Sequence, residues 1–268
     1  SWLRIGSTSL HGSSRMGPGD ITLLGVLPFI GVGFVAQLVD GALGMAFGVI
    51  SNTLLVSLGI PPAAASAGVH TVECFTTAMS GVSHWLHGNV EWKLFARLVL
   101  PGLAGGVLGA YVLTHVDGSV AKPFVLAYLC AIALYLLWRG LRREHEERRP
   151  KVVEPLGLAG GFLDAAGGGG WGPIVTSNLL VQGASPRQVI GTVNAAEFFV
   201  TVAISATFIA NLGLEAFTVA TLGLLIGGVL AAPLGGFAAK RVAPRRLLVM
   251  VGTVLLCTSV YGLVRALA

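Results

Sequence analysis

Apolar positions in this chain fall into long unbroken blocks and do not alternate with polar ones. Six blocks, at residues 63–85, 95–114, 121–138, 188–209, 216–239 and 247–267, approach the ~20 residues that a helix needs to cross a hydrocarbon core. Shorter blocks lie at 47–58, 152–163 and 171–181, with a run of about minimum spanning length at 23–39. Runs this short are more often re-entrant than spanning. Two of the joints between short blocks read "DGALGMAFG", from Asp40, and "DAAGGGGWGP", from Asp164. Four successive glycines beside an aspartate suit neither a helix interior nor a lipid-facing surface.

The pattern occurs twice. A gapless shift of 124 positions lays Asp40 on Asp164, Gly44 on Gly168, Gly48 on Gly172, Gly59 on Gly183, Pro62 on Pro186, Glu73 on Glu197, Thr77 on Thr201 and Glu91 on Glu215. Each half therefore reads as a pair of short segments around an Asp-and-Gly break, followed by three long helices. The expected fold is an all-α polytopic membrane protein of two inverted-topology repeats. The expected division is an N-terminal tail (1–20), a first repeat (21–138), a charged linker (139–152) and a second repeat (153–268).

Composition agrees with a membrane setting and fixes an orientation. The 268 residues are 54% hydrophobic and 11% charged, with a mean hydropathy of +0.81, whereas soluble domains carry about 25% charged residues. No Lys or Arg occurs from Ile21 to Trp92, and from Val152 to Ala239 only Arg187. The net charge of +5 gathers in loops, so it reports orientation and not a nucleic-acid partner. The linker "RGLRREHEERRPKVVEP" is expected to be cytoplasmic, together with Lys240, Arg241, Arg245 and Arg246. An odd number of crossings per half inverts the second half against the first. Inverted repeats with Gly-interrupted short segments at matching places are the pattern of a secondary transporter with its site at mid-membrane.

The three cysteines, Cys74, Cys130 and Cys257, have no paired or metal-like spacing and read as small hydrophobes. The first 20 residues lack the layout of a secretory signal. Small residues at Gly227, Gly228 and Ala231 to Gly236 offer surface for close helix packing, within one subunit or across a homodimer.

The doubled breaks, the Gly and Pro turns "LGIPPAAAS" and "QGASPRQVI", and the Glu-bearing helices "VHTVECFTT" and "VNAAEFFVT" together resemble the TauE/SafE family of sulfite exporters. The resemblance covers residues 23–267. It implies export, and in some cases import, of sulfite, organosulfonates or related sulfur oxyanions across the bacterial inner membrane. Ala42, Leu43, Met45 and Ala46 stand where glycines are expected, so the first break is the stiffer of the two.

A small oxyanion needs donors, and the short segments contain no Lys or Arg. Backbone N–H groups at the helix starts are the remaining source, which singles out Gly44, Met45, Ala46 and Phe47, and Gly168, Gly169, Gly170 and Trp171. Asn52 and Thr53, with Thr176, Ser177 and Asn178, are candidate side-chain donors; neighbouring helices are their alternative partners. Four carboxylates, Asp40, Glu73, Asp164 and Glu197, lie in apolar surroundings and are candidates for proton coupling. For Asp40 and Asp164, capping of the short helices is the competing role. His70, and its counterpart Asn194, are read as polar contacts near the anion path; a lone HxxE without a second His or Cys does not make a metal site. No cofactor motif and no nucleophile–base pairing points to an enzyme. The expected activity is alternating-access transport, with an anion channel at the same site as the alternative.

Overall fold

The computed structural model describes residues 23–43, 45–141, 150–213, 219–241 and 244–267, and among these the only regular structure is helical. The tail before Leu23, Gly44 and most of the charged linker lie outside the described residues.

The helices are α1 (Leu23–Leu43), α2 (Phe47–Ser57), α3 (Pro62–Leu86), α4 (Trp92–His115), α5 (Gly118–Leu141) and α6 (Glu154–Gly167). A π-turn, Trp171–Thr176, then runs into α7 (Ser177–Val181), followed by α8 (Pro186–Leu212), α9 (Val219–Arg241) and α10 (Pro244–Leu267). Short helices end where the sequence supplies a residue that tolerates positive φ. Gly59 (φ 98°) and Gly183 (φ 92°) close α2 and α7, their amides bonding Val56 O and Leu180 O. Pro62 and Pro186 then open α3 and α8 at a position that needs no N–H. These turns are the same turn, 124 residues apart.

Packing follows the same exchange. α1 lies along α9 and α6 along α4; α3 packs on α8, and α5 on α10. The two seams are built from glycine. A Cβ on Gly105 of α4 would lie 2.1 Å from Leu158 O of α6, and one on Gly227 of α9 2.0 Å from Ile30 O of α1. Gly227, Gly228 and Ala231 thus serve close packing inside the subunit: Gly228 faces Phe47 and Val72, and Ala231 is fully buried.

Three described helices are long and apolar enough to cross a membrane: Trp92–His115, Gly118–Trp138 and Gln188–Leu212. Large side chains such as Leu86, Leu100, Phe124 and Val264 stand exposed on the outside of the bundle, as a lipid-facing surface requires. The interior of α3 is polar, with Ser66, His70, Glu73, Thr76 and Thr77 buried on it.

Candidate functional site

The two breaks, distant in sequence, touch. α6 ends at Gly167, and Gly168 (φ 70°) and Gly169 (φ 143°) turn the chain into the π-turn. A Cβ on Gly169 would lie 2.4 Å from Val49 N and 2.5 Å from the Gly48 carbonyl carbon, so backbone meets backbone. One turn further along α2, Asn52 donates from Nδ2 to Gly167 O at 2.7 Å. From α5, the Tyr128 hydroxyl donates to Gly169 O at 3.3 Å. The first break holds Ala46 at φ 131°, a conformation that an L residue adopts only under strain.

The two aspartates belong to the helices before the breaks, not to the breaks themselves. α1 and α6 each continue past the aspartate for almost a turn, and the carboxylate reaches across to the next helix. Asp40 Oδ1 accepts from Phe47 N at 3.2 Å. Asp164 Oδ1 accepts from Gly170 N at 2.7 Å and Trp171 N at 2.9 Å. Glu73 Oε1 lies against Gly48, 2.8 Å from where a Cβ on that glycine would stand. In this conformation, then, helix-start amides expected to face an oxyanion are bonded to carboxylates of the chain, which satisfy the same orphan donors.

His70 joins the halves. Its Nδ1 lies 2.8 Å from Ser66 O and its Nε2 3.1 Å from Asp164 Oδ2, with both side chains buried. A carbonyl only accepts, so Nδ1 carries a proton, and Nε2 and Asp164 share a second one. Ser66 Oγ continues the network to Ala165 O at 2.8 Å. Asn194 makes the equivalent anchoring bond, Nδ2 to Ile190 O at 2.9 Å, without an ionisable ring. Glu73 and Glu197 come from the packed pair α3 and α8. Each is within electrostatic range of both aspartates, and they of each other.

Other candidates are placed differently. Trp171 is fully buried away from the break; its ring packs on Gly102 of α4, and its indole N–H donates to Val193 O at 3.3 Å. Phe47 is buried with Leu55, Val69 and Leu224. Ser177 Oγ is 3.5 Å from Met45 Sδ, and Asn178 Nδ2 donates to Ile174 O of the π-turn just before α7. Gly44 lies outside the described residues. Asn52 and Thr53 are fully buried, with Asn52 Oδ1 and Thr53 Oγ1 lacking a hydrogen-bond partner; so are Ser51 and Thr176 at their hydroxyls, and Gln37 Oε1 and Glu73 Oε2 are also buried and unpartnered. Sequence reasoning passed over Ser51, Gln37 and Tyr128. Gln37 could have been noticed as a polar residue one turn before Asp40 in an apolar run; a lone Tyr in a long apolar block carries no such mark. Among the described residues no group of three or more His, Cys, Asp or Glu side chains is arranged to hold a metal.

Three comparisons bear on this arrangement. The family described as "Sulfite exporter TauE/SafE" matches residues 29–262. A "Probable membrane transporter protein YtnM" of Bacillus subtilis (strain 168) is 42% identical over 236 residues, covering 85% of this chain and 79% of that protein. A "Sulfite exporter TauE/SafE family protein 3" of Arabidopsis thaliana is 23% identical over 124 residues (46% of this chain, 26% of that protein). A "Probable membrane transporter protein ORF9" of a Sinorhizobium species is 32% identical over 102 residues (38% and 39%). No solved structure is significantly similar to the chain.

Proposed function

The chain belongs to the TauE/SafE family of sulfite exporters, and on that premise we propose that it is a secondary transporter carrying a sulfur oxyanion, sulfite or an organosulfonate, across the bacterial inner membrane. The observation that carries the reading is the meeting of the two breaks, Gly48 against Gly169, together with buried hydroxyls without a partner on the segments that follow them, Ser51 and Thr53 of α2 and Thr176 of the π-turn. A buried hydroxyl left unbonded costs about 1–3 kcal/mol. A ligand with several acceptor oxygens relieves that cost.

Backbone contact at the centre argues for a carrier over an open channel. With Gly169 against Gly48 and Val49, an anion passes only when the halves part. The repeats are taken as inverted, and parting first on one side and then on the other is alternating access. The amides of Gly170 and Trp171, now held by Asp164, are the donors that an incoming oxyanion would compete for.

Charge sets the coupling. Four carboxylates and one imidazole surround the centre, and α1, α2, α3 and α6 contain no Lys or Arg. An anion enters such a place only with compensating positive charge, and protonation at Glu73 and Glu197 is the simplest supply. The test is uptake of labelled sulfite into proteoliposomes, with sulfonates, thiosulfate and carboxylates as competitors, for the wild type and for Glu73→Gln and Glu197→Gln. Saturable uptake blocked by sulfur oxyanions, with a pH dependence that flattens in the Gln variants, is expected. Linear, non-saturating flux would replace the carrier with a channel. Unaltered pH dependence in both variants would return the glutamates to a structural role.

A further inference from the structure

We propose that Glu73 and Asn52 form the core of a binding site for a hard monovalent metal cation, sodium by its chemistry, which travels with the anion; this rests on the transport reading above. Several buried polar atoms lack a hydrogen-bond partner. Hydroxyls donate or accept, so Ser51, Thr53 and Thr176 do not discriminate. Asn52 Oδ1, Gln37 Oε1 and Glu73 Oε2 do: amide and carboxylate oxygens only accept, and all three are buried without a hydrogen bond. The orientation of Asn52 is fixed, because its Nδ2 donates to Gly167 O at 2.7 Å and a carbonyl could not face the amide oxygen favourably. A fully deprotonated oxyanion has no donor to offer these atoms. A cation binds them directly.

Placement brings two of them to one strip of backbone. Gly48 and Asn52 lie one turn apart on the same face of α2. A Cβ on Gly48 would lie 2.8 Å from Glu73 Oε1 and 3.0 Å from Gly169 Cα. A Cβ on Gly168 would lie 2.2 Å from the Asn52 carboxamide. The Glu73 carboxyl and the Asn52 carboxamide therefore both border the Gly168–Gly169 segment, where α6 ends at Gly167 and its C-terminal carbonyls carry partial negative charge. Unwound backbone and a half-helix C-terminus are where transporters coordinate coupling cations.

The charges decide the ion. Facing Glu73 are His70, Asp164 and Asp40, and Glu197 lies within range from α8. His70 is engaged by Asp164, and Asp40 Oδ1 by the Phe47 amide; among the described residues Glu73 Oε2 is the carboxylate oxygen that is both fully buried and unpartnered. The unpartnered oxygens at hand, one carboxylate oxygen of Glu73 with the carboxamide oxygen of Asn52 beside the backbone of the second break, make a ligand set that suits a monovalent ion. No cluster of three His, Cys, Asp or Glu side chains is arranged among the described residues for a divalent or transition metal. Sodium and a proton compete for Glu73: a proton satisfies one acceptor and a metal ion several together, so the cation takes the place of the Glu73 proton and leaves proton coupling to Glu197.

The test uses purified full-length protein in detergent, at fixed pH and ionic strength, without any anion substrate. Equilibrium binding of ²²Na⁺ and thermal melting are read in sodium, potassium and choline chloride. Saturable ²²Na⁺ binding with a melting point raised by sodium alone is expected. Glu73→Gln should weaken that binding about tenfold or more while melting like the wild type in choline, and Glu73→Asp should restore part of it. Identical melting in sodium and choline with no bound ²²Na⁺ overturns the site, even if sulfite uptake proceeds and the transport reading stands. Sodium binding unchanged in both Glu73 variants also overturns it. Stabilisation by an amino-sulfonate with none by sodium overturns it in favour of an ammonium group at the same oxygens. Failure of sulfite uptake by a protein that binds sodium falls on the transport reading instead.

Discussion

At the residue scale the backbone of the two breaks is tightly constrained. Gly169 combines a φ of 143° with backbone on the side where a Cβ would project. Gly169→Ala is expected to cost at least about 2 kcal/mol and to abolish flux, because α2 and the second break could no longer touch; thermal melting and proteoliposome uptake check both parts. Ala46 presents the opposite case, a side chain already present at a φ of 131°. Ala46→Gly removes that strain and should raise stability by about 1 kcal/mol, read as an upward shift in melting temperature. The sequence marked both places, since glycines and their departures are visible in it. That Asp164 caps Gly170 and Trp171 while also binding His70 from the other half was not visible, because a hydrogen bond across 94 positions has no local pattern.

At the element scale, helix ends and helix seams behave as separate problems. The α4–α6 seam is closed by glycine, so Gly105→Ala should destabilise by about 2 kcal/mol through collision with Leu158 O. Gly31→Ala on the exposed side of α1 meets nothing within 4 Å and should be neutral or mildly stabilising; melting the pair of variants side by side separates packing from helix propensity. The start of α5 lies in the loop after α4, where Asp117 Oδ1 accepts from Ser119 N at 2.8 Å and from the Ser119 hydroxyl at 2.5 Å. These bonds hold the Asp117 carboxyl below its ordinary range. A depressed folded value contributes stability above the unfolded carboxylate range near ~3.9 and loses it as pH falls through the folded value. Asp117→Asn should therefore narrow the difference in melting temperature between neutral and acid pH. The helices and turns were readable beforehand, because Gly59 with Pro62 and Gly183 with Pro186 are local signals; which helix each glycine would meet was not.

At the scale of the whole molecule, duplication sets the architecture and small differences between the halves set the chemistry. Helix order and principal packing pairs exchange under one shift of the sequence, yet His70 faces Asn194 across that exchange and the first break keeps Ala46 where the second has Gly170. The Glu73→Gln and Glu197→Gln variants are for this reason expected to differ in uptake: Glu73 sits one turn from His70, and Glu197 one turn from an amide. Equal effects of the two substitutions would show that the halves act symmetrically despite that difference.

The sequence by itself determined the membrane character, the doubled order of short and long helices, the position of the breaks and the polar residues near them. These follow from hydrophobic length, backbone permissiveness and self-similarity, all of which act over a few residues or repeat along the chain. Only the tertiary structure decided that the breaks touch each other, that carboxylates hold the amides at the helix starts, that the Trp171 ring packs on α4, and which buried oxygens remain unpartnered. Those outcomes depend on which helix lies against which, and close packing between segments more than a hundred residues apart leaves no imprint in the order of either one alone.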